Sequence, residues 1–256
     1  MMTLEPEVLS GIVDEFLAKS DLRPWNPFRS FDWSKLDPAR LSDDQRDAVI
    51  YLTYVEDHLP DYFARYQTVF PVDQSVAEAE FIHNRELYRF LTHWAHDEEL
   101  HAHTLFLYQA RAGFGSPQQL RQRLAEEGRK PFVVGPLQPV QVFAYATIQE
   151  KMTQLFYQQF AAAVAEPVLA SILQTLARDE ARHFSFFARL MEAYLQRDGA
   201  GVRPLIDEVI ENFRMPLERT LKGYWRWLAK LSGACGGKHR PADAFDYLRR
   251  LASREG

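Results

Sequence analysis

The sequence contains a single cysteine, Cys235, among its 256 residues. One thiol cannot form a disulfide within the chain, and it excludes a metal site or iron–sulfur cluster that is built from several cysteines. Basic residues are not in excess, because 30 lysines and arginines stand against 35 aspartates and glutamates, for a net charge of -5. General nucleic-acid-binding proteins are usually basic, so the composition disfavours that class.

An uninterrupted apolar segment of membrane-spanning length is also missing. The longest run without a charged residue, 131–149, contains three prolines and one glycine, which suits a loop leading into a buried helix. The opening residues MMTLEPEV lack the basic and apolar blocks of a secretory signal and are too acidic for a transit peptide. We therefore expect a cytoplasmic protein in a reduced compartment, without membrane insertion.

Glycine and proline are absent from three long stretches, 72–112, 140–166 and 168–198, which are rich in helix-forming residues. No alternating strand pattern is evident, so the sequence predicts an all-α protein. Long helices are predicted near 42–68, 76–112, 140–165 and 168–197, and further helices near 5–19, 118–127, 203–231 and 241–253. We expect residues 1–256 to form one domain, with a bundle core at about 42–197 on which the N-terminal segment 1–40 and the C-terminal helices 203–253 pack.

Each of the four long helices carries an apolar seam that is interrupted near its middle by a glutamate. Burying an unpaired carboxylate costs on the order of several kcal/mol, so packing alone does not account for four of them. In two helices a histidine follows the glutamate three residues later, on the same face, where both can bind one metal ion. This order of donors is that of di-iron or di-manganese bundles. The predicted ligands are Glu56, Glu98, His101, Glu150, Glu180 and His183.

Four residues near these ligands carry weaker signals. Asp97 and Asp179 each directly precede a predicted ligand, and they either support an imidazole from a neighbouring helix or are ordinary surface acids. Thr153 lies on the seam of the third long helix, where its hydroxyl either bonds to its own backbone or points at a metal-bound oxygen. Pro60 removes a hydrogen bond inside the first long helix and should bend it.

The segments that carry these residues resemble the soluble acyl-[acyl carrier protein] desaturases, particularly their actinobacterial branch. The similarity rests on Glu-Asp-His-Leu-Pro at 56–60, Asp-Glu-Glu-Leu-His at 97–101, Ile-Gln-Glu-Lys-Met-Thr at 148–153 and Ala-Arg-Asp-Glu-Ala-Arg-His at 177–183. Trp94, four residues before Glu98, also fits. The resemblance covers roughly residues 40–195, and the flanking segments match loosely.

The resemblance implies a ferritin-like four-helix bundle core with additional flanking helices, usually as a homodimer. It implies two iron ions per chain, bound by the six predicted ligands. It further implies that Thr153 assists oxygen activation and that Asp179 belongs to an electron-entry path. The surface tryptophan of that path would be Trp25, with Trp33 as a competitor.

The implied activity is the O2-dependent introduction of a double bond into an acyl chain on acyl carrier protein, with a ferredoxin as electron donor. Two basic clusters suit an acidic carrier, although solvated helix faces would look the same. They comprise Arg121, Arg123, Arg129 and Lys130, and Lys222, Arg226 and Lys230.

Four other functions are compatible with parts of the pattern. A bacterioferritin-like iron store uses similar ligands but needs a shorter chain, and a ribonucleotide reductase small subunit would need a tyrosine where Leu105 stands. A di-iron oxygenase acting on an arylamine or a polyketide-bound chain shares the same ligands. A helical interaction protein with a relict metal site is the non-enzymatic alternative.

Overall fold

The computed structural model describes residues 3–20, 22, 24–132, 138–215, 217–221, 223–237 and 242–253. Over these residues it contains α-helices, two short 3-10 helices and no strand, which confirms the prediction of an all-α protein. The helices are α1 (Pro6–Ser20), α2 (Asp43–Asp57), α3 (Leu59–Val69), α4 (Glu78–Arg111), α5 (Pro117–Gly128), α6 (Pro139–Ala163), α7 (Pro167–Asn212), α8 (Tyr224–Ala234) and α9 (Ala242–Ser253).

The bundle core consists of α2, α4, α6 and α7. The α6 and α7 helices make the most extensive contact, α2 packs on α4, and α4 also contacts α7. Around this core, α1 packs on α4 and α7, α8 packs on α2, and α9 packs on α6 and α7. These four helices carry the six predicted ligands.

Capping residues explain where several helices begin. Ser42 and Gln45 form a reciprocal pair at the start of α2, in which the Ser42 hydroxyl accepts from the Gln45 amide at 3.2 Å and the Gln45 side chain accepts from the Ser42 amide at 3.1 Å. Ser116 and Gln119 repeat this arrangement at α5. At α7, a proline occupies the first turn, and the carboxylate of Glu166 accepts from two backbone amides.

The single helix predicted near 42–68 is wrong, because the chain forms two helices there. The α2 helix ends at Asp57 and α3 begins at Leu59, with His58 between them. Pro60 lies in the first turn of α3, where a missing amide hydrogen costs no intrahelical bond. The expected bend is therefore a break, and it follows Glu56 by only two residues.

The helix predicted near 203–231 is also wrong. Its first part is present, since helical residues extend to Asn212 beyond a break in α7 that falls between the two predicted helices, but the next described helix begins only at Tyr224. The junction inside α7 is Asp198, whose φ of -152° and ψ of 73° are not helical. Its Oδ1 accepts from the Gly201 amide at 2.9 Å and so caps the second part of the helix.

Two hydrophobic clusters fill the bundle on either side of its middle. One contains Phe90, Phe143 and Phe187, and the other contains Leu105 and Leu173. Among the described residues, no helix is both long enough and apolar enough to cross a membrane. Between the two clusters lies a group of buried polar side chains that defines the candidate site.

Candidate metal centre

The six side chains predicted as ligands are all buried, and none is more than 8% exposed. Each comes from a bundle helix, so the centre is formed by the core of the fold rather than by loops. Glu56 lies on α2, Glu98 and His101 on α4, Glu150 on α6, and Glu180 and His183 on α7.

The donor atoms of these residues form two groups that share two members. Within each group the atoms all lie within 4.8 Å of one another. Glu98 and Glu180 belong to both groups, while each group also has one glutamate and one histidine of its own. Carboxylates that carry two oxygens can serve two neighbouring cations, so the arrangement fits a dinuclear site. The members are Glu56, Glu98, His101 and Glu180 in one group, and Glu98, Glu150, Glu180 and His183 in the other.

The two histidines direct one ring nitrogen each into the carboxylates. His101 Nδ1 lies 3.4 Å from Glu180 Oε1 and 3.5 Å from Glu98 Oε2. His183 Nδ1 lies 3.1 Å from Glu98 Oε1 and 3.5 Å from Glu150 Oε2. Neither Nδ1 has a hydrogen-bond partner, although both are buried. Nitrogen and oxygen atoms that each bind one cation at about 2 Å have this kind of spacing.

The electrostatics of the cluster also favour bound cations. Burial, reinforced by the charge of Glu98, raises the pKa of Glu56 to about 7. Burial likewise raises the pKa of Glu180 well above its usual range, and the charges of Glu98 and Glu150 add to this. Two divalent cations would balance the four carboxylate charges and relieve their repulsion. The donor set therefore fits two metal ions.

Two aspartates support the histidines from the outer side of the rings. Asp179 Oδ2 lies 3.3 Å from His101 Nε2, and Asp97 Oδ2 lies 3.2 Å from His183 Nε2. A carboxylate acceptor keeps the proton on Nε2 and leaves the Nδ1 lone pair free to bind a metal. The sequence left both aspartates open between this role and an exposed surface position, and the structure buries both.

Arg182 joins these two supports and was not singled out from the sequence. Its Nη2 lies 2.7 Å from Asp97 Oδ2, and its Nη1 lies 2.8 Å from Asp179 Oδ1. One guanidinium thus bonds to both aspartates, whose pKa values it and the neighbouring histidines lower against the effect of burial. Its position three residues after Asp179, one helical turn away, was the available signal.

Only one of the two candidate surface tryptophans contacts this network. The half-buried Trp25 donates from Nε1 to Asp179 Oδ2 at 2.7 Å, and its ring stacks near His101 with centroids 6.2 Å apart. Trp33 instead donates to the carbonyl of Pro27 at 2.9 Å. The structure thus brings Trp25, Asp179 and His101 into one hydrogen-bonded series.

Each glutamate that belongs to a single group accepts a hydrogen bond from an aromatic side chain. Trp94 Nε1 donates to Glu150 Oε1 at 3.3 Å, and the Tyr157 hydroxyl donates to Glu56 Oε1. Tyr157 was not predicted as a site residue. It lies on the seam of Glu150 and Thr153, but a seam tyrosine is equally expected in an ordinary core.

Two neighbouring cavities lie beside the carboxylates. The smaller, of about 20 Å³, is lined by all four glutamates together with Val55 and Thr153. The larger, of about 270 Å³, is lined mainly by apolar side chains of α2, α6, α8 and the segment after α7. Val55 and Thr153 line both cavities. The Thr153 hydroxyl donates to the Gln149 carbonyl at 3.0 Å, which is the backbone alternative of the two that we considered.

The predicted basic clusters are partly neutralised by acidic neighbours. Lys130 forms an ion pair with Glu127, and Lys230 lies 2.8 Å from Asp44. Lys222 lies outside the described residues. Neither cluster is therefore a wholly free cationic surface.

Comparison with known proteins adds both a family and a fold. A family profile described as fatty acid desaturase matches residues 15–224. DesA2 of Mycobacterium tuberculosis, a protein named as an acyl-[acyl-carrier-protein] desaturase, is 30% identical over 103 residues, which cover 40% of this chain and 38% of DesA2. The matched segment thus spans well under half of that relative.

Solved structures extend the similarity over nearly the whole chain. The X-ray structure of DesA2 superposes with a TM-score of 0.65 at 21% identity, covering 98% of this chain and 92% of DesA2. A variant of an R2-like ligand-binding oxidase with an Fe/Fe cofactor gives a TM-score of 0.53 at 14% identity and covers 96% of this chain and 91% of the oxidase. Another variant of that oxidase, with a Mn/Fe cofactor, gives a TM-score of 0.53. These likenesses confirm the ferritin-like bundle.

Proposed function

This chain belongs to the fatty acid desaturase family, and from that premise we propose that it is an O2-dependent desaturase that introduces a double bond into a fatty acyl chain on acyl carrier protein. The observation that carries the proposal is that the apolar cavity lies next to the carboxylate cavity, since Val55 and Thr153 line both. An alkyl chain in the larger cavity leaves water, which favours binding by about 0.8 kcal/mol for each buried CH2 group. Its carbons would then lie beside the carboxylates.

We propose that the dinuclear site holds two iron ions, bound by the four glutamates and two histidines. When bound, iron supplies the change of oxidation state that O2 activation and hydrogen removal require, which zinc lacks. The overall reaction consumes one CH2–CH2 unit, one O2, two electrons and two protons. It yields one CH=CH unit and two molecules of water.

The surrounding residues have distinct proposed roles. Asp97 and Asp179 hold the two imidazoles with Nδ1 directed inwards. Electrons from a ferredoxin enter through Trp25, whose indole bonds directly to Asp179. The Thr153 hydroxyl assists oxygen activation by turning from the Gln149 carbonyl towards the smaller cavity, which its side chain already lines.

The opening of the larger cavity is the proposed docking surface for an acidic carrier protein. Trp225 lines that cavity and is nevertheless 69% exposed, so it lies at the opening. Arg214, Arg219 and Arg226 lie close to it in sequence and are exposed. Their positive charge would attract an acidic carrier and orient its acyl chain towards the opening. We also propose a homodimer, which light scattering would test.

The proposal is tested with iron-loaded protein, O2, a ferredoxin reducing system and a panel of acyl-carriers of different chain lengths. We expect mass spectrometry to detect an acyl product that has lost two hydrogens, with none from the Glu180→Gln variant. A product that gains oxygen, or oxidation of an arylamine in parallel assays, would favour the alternative of an oxygenase. Oxygen consumption without conversion of any acyl-carrier would contradict the desaturase proposal.

A further inference from the structure

In the candidate metal centre, Glu56 and Glu150 each belong to only one of the two donor groups, and each accepts a hydrogen bond from an aromatic side chain. These two aromatic side chains line different cavities. Trp94, which bonds to Glu150, lines the small cavity beside the carboxylates and does not line the larger apolar cavity. Tyr157, which bonds to Glu56, lines the larger apolar cavity instead. Among the described residues, the hydrogen-bond donor to Glu56 therefore also lines the proposed acyl site, and the donor to Glu150 does not.

Tyr157 connects the larger cavity to the Glu56 carboxylate, because it lines the former and bonds to the latter. Its side chain is fully buried within the cluster that contains Phe156 and Phe160, and its hydroxyl bonds to Glu56. The ring and hydroxyl form one rigid group, so a molecule that presses on the ring moves the donor as well. Away from the cavity the ring packs against the buried side chains of that cluster, so a chain that fills the cavity presses the ring against a close-packed interior.

Among the four glutamates of the candidate metal centre, Glu56 is the one that lies at the end of a helix. It lies in the last turn of α2, two residues before the break at His58, whereas Glu150 and Glu180 lie well inside α6 and α7. Carbonyl groups in a final helical turn lack the regular partners of a helix interior. The residue that bonds to Tyr157 is therefore the one of the four glutamates that lies nearest to a helix break.

We propose that Tyr157 is a positioning residue that couples occupancy of the apolar cavity to the orientation of the Glu56 carboxylate. The metal position of Glu56 and His101 then responds to a bound chain, while the position of Glu150 and His183, held by Trp94, does not. This inference rests on the proposed use of the two sites. It extends that use by assigning the response to one side of the dinuclear centre.

The experiment places an alkyl group in the cavity covalently, so that occupancy does not depend on ligand affinity. Leu228 lines the cavity and is half-buried, and Leu228→Cys provides a thiol there. Cys235, which is 1% exposed, is replaced by serine to leave one reactive thiol. Decyl methanethiosulfonate then forms a mixed disulfide at position 228, and mass spectrometry verifies complete labelling.

The readout is the visible absorption spectrum of the Co(II)-loaded protein, which reports on the ligands around the metal without O2, carrier or ferredoxin. We expect labelling to shift the Co(II) bands in the Leu228→Cys, Cys235→Ser background. The shift should disappear when Tyr157→Phe is added and persist with the matched control Trp94→Phe. Metal analysis and circular dichroism check that every variant holds equal Co(II) and retains its helices.

A second variant covers the possibility that Tyr157→Phe disturbs folding. Incorporation of 4-aminophenylalanine at position 157 keeps the shape of the ring and an N–H donor, and should preserve the shift. A shift that survives Tyr157→Phe, that is lost with 4-aminophenylalanine, or that never occurs on labelling would overturn the coupling. Failure of desaturation in the acyl-carrier assay would leave this result unaffected, so the two proposals fail separately.

Discussion

Glu166 and the four glutamates of the candidate metal centre are all buried, but they differ in what surrounds their oxygens. Glu166 is 0% exposed and accepts hydrogen bonds from the amides of Leu169 at 2.7 Å and Val168 at 3.3 Å, and from the Tyr108 hydroxyl at 2.9 Å. The amide of Asp37 adds a fourth donor at 3.2 Å. The protein itself thus stabilises this carboxylate.

The glutamates of the metal centre lack such a set of donors. They face one another and two imidazole nitrogens that have no hydrogen-bond partner. Glu56 and Glu150 each receive one hydrogen bond from an aromatic side chain. A buried carboxylate is therefore not by itself a sign of metal binding, and a deficit of protein donors around several carboxylates is the more specific sign.

Removal of ligands should produce the largest effect and separates the two kinds of glutamate directly. Glu180→Gln changes a carboxylate shared by both donor groups, and His183→Ala removes a donor of one group. We expect metal content to fall from about two ions per chain to about one or fewer, with loss of activity. Metal analysis of the purified, iron-loaded proteins measures this. Glu166→Gln is the control and should bind metal normally.

Loss of a histidine support should have the next largest effect. Asp97→Asn and Asp179→Asn weaken the acceptor that fixes the imidazole proton on Nε2. We expect metal affinity to fall by about 10- to 100-fold, as is typical for such partners. Competition with a chelator gives the affinity. An unchanged affinity in both variants would contradict the supporting role.

Replacement of Glu166 should affect folding instead of metal binding. Glu166→Ala leaves several buried donors unpaired and removes the cap of α7, which should lower the free energy of unfolding by about 2 kcal/mol. Urea unfolding of the metal-free protein measures the change. If Glu166→Ala also lost metal at equilibrium under native conditions, the distinction between the two sites would fail.

The smallest structural effect is expected at the surface tryptophan. Trp25→Phe keeps an aromatic ring but removes the hydrogen bond to Asp179. We expect slower reduction of the metal centre by ferredoxin, with metal content unchanged. Stopped-flow absorbance follows the reduction, and Trp33→Phe, which removes a bond to a backbone carbonyl only, is the matched control.

The positions of the six predicted ligands follow from the sequence because helical periodicity places each on an interior seam. The hydrogen bonds of Asp97 and Asp179 could not be predicted in the same way. They depend on the relative orientation of α4 and α7, and residue spacing within one helix gives no information about that orientation. The choice of Trp25 over Trp33 depends on an irregular segment without periodicity. The interruption of the helix predicted near 203–231 was missed, although Gly223, with a φ of 75°, directly precedes α8.

The guanidinium of Arg182, which bonds to both aspartates, has an evolutionary consequence. Loss of either acid leaves the cation with half of its partners, while loss of the arginine removes the cation that two buried acids share. Substitutions at these three positions should therefore be strongly non-additive in a double-mutant cycle. Across a lineage, Asp97, Asp179 and Arg182 should be inherited or replaced as a unit, even though none of them is a proposed metal ligand.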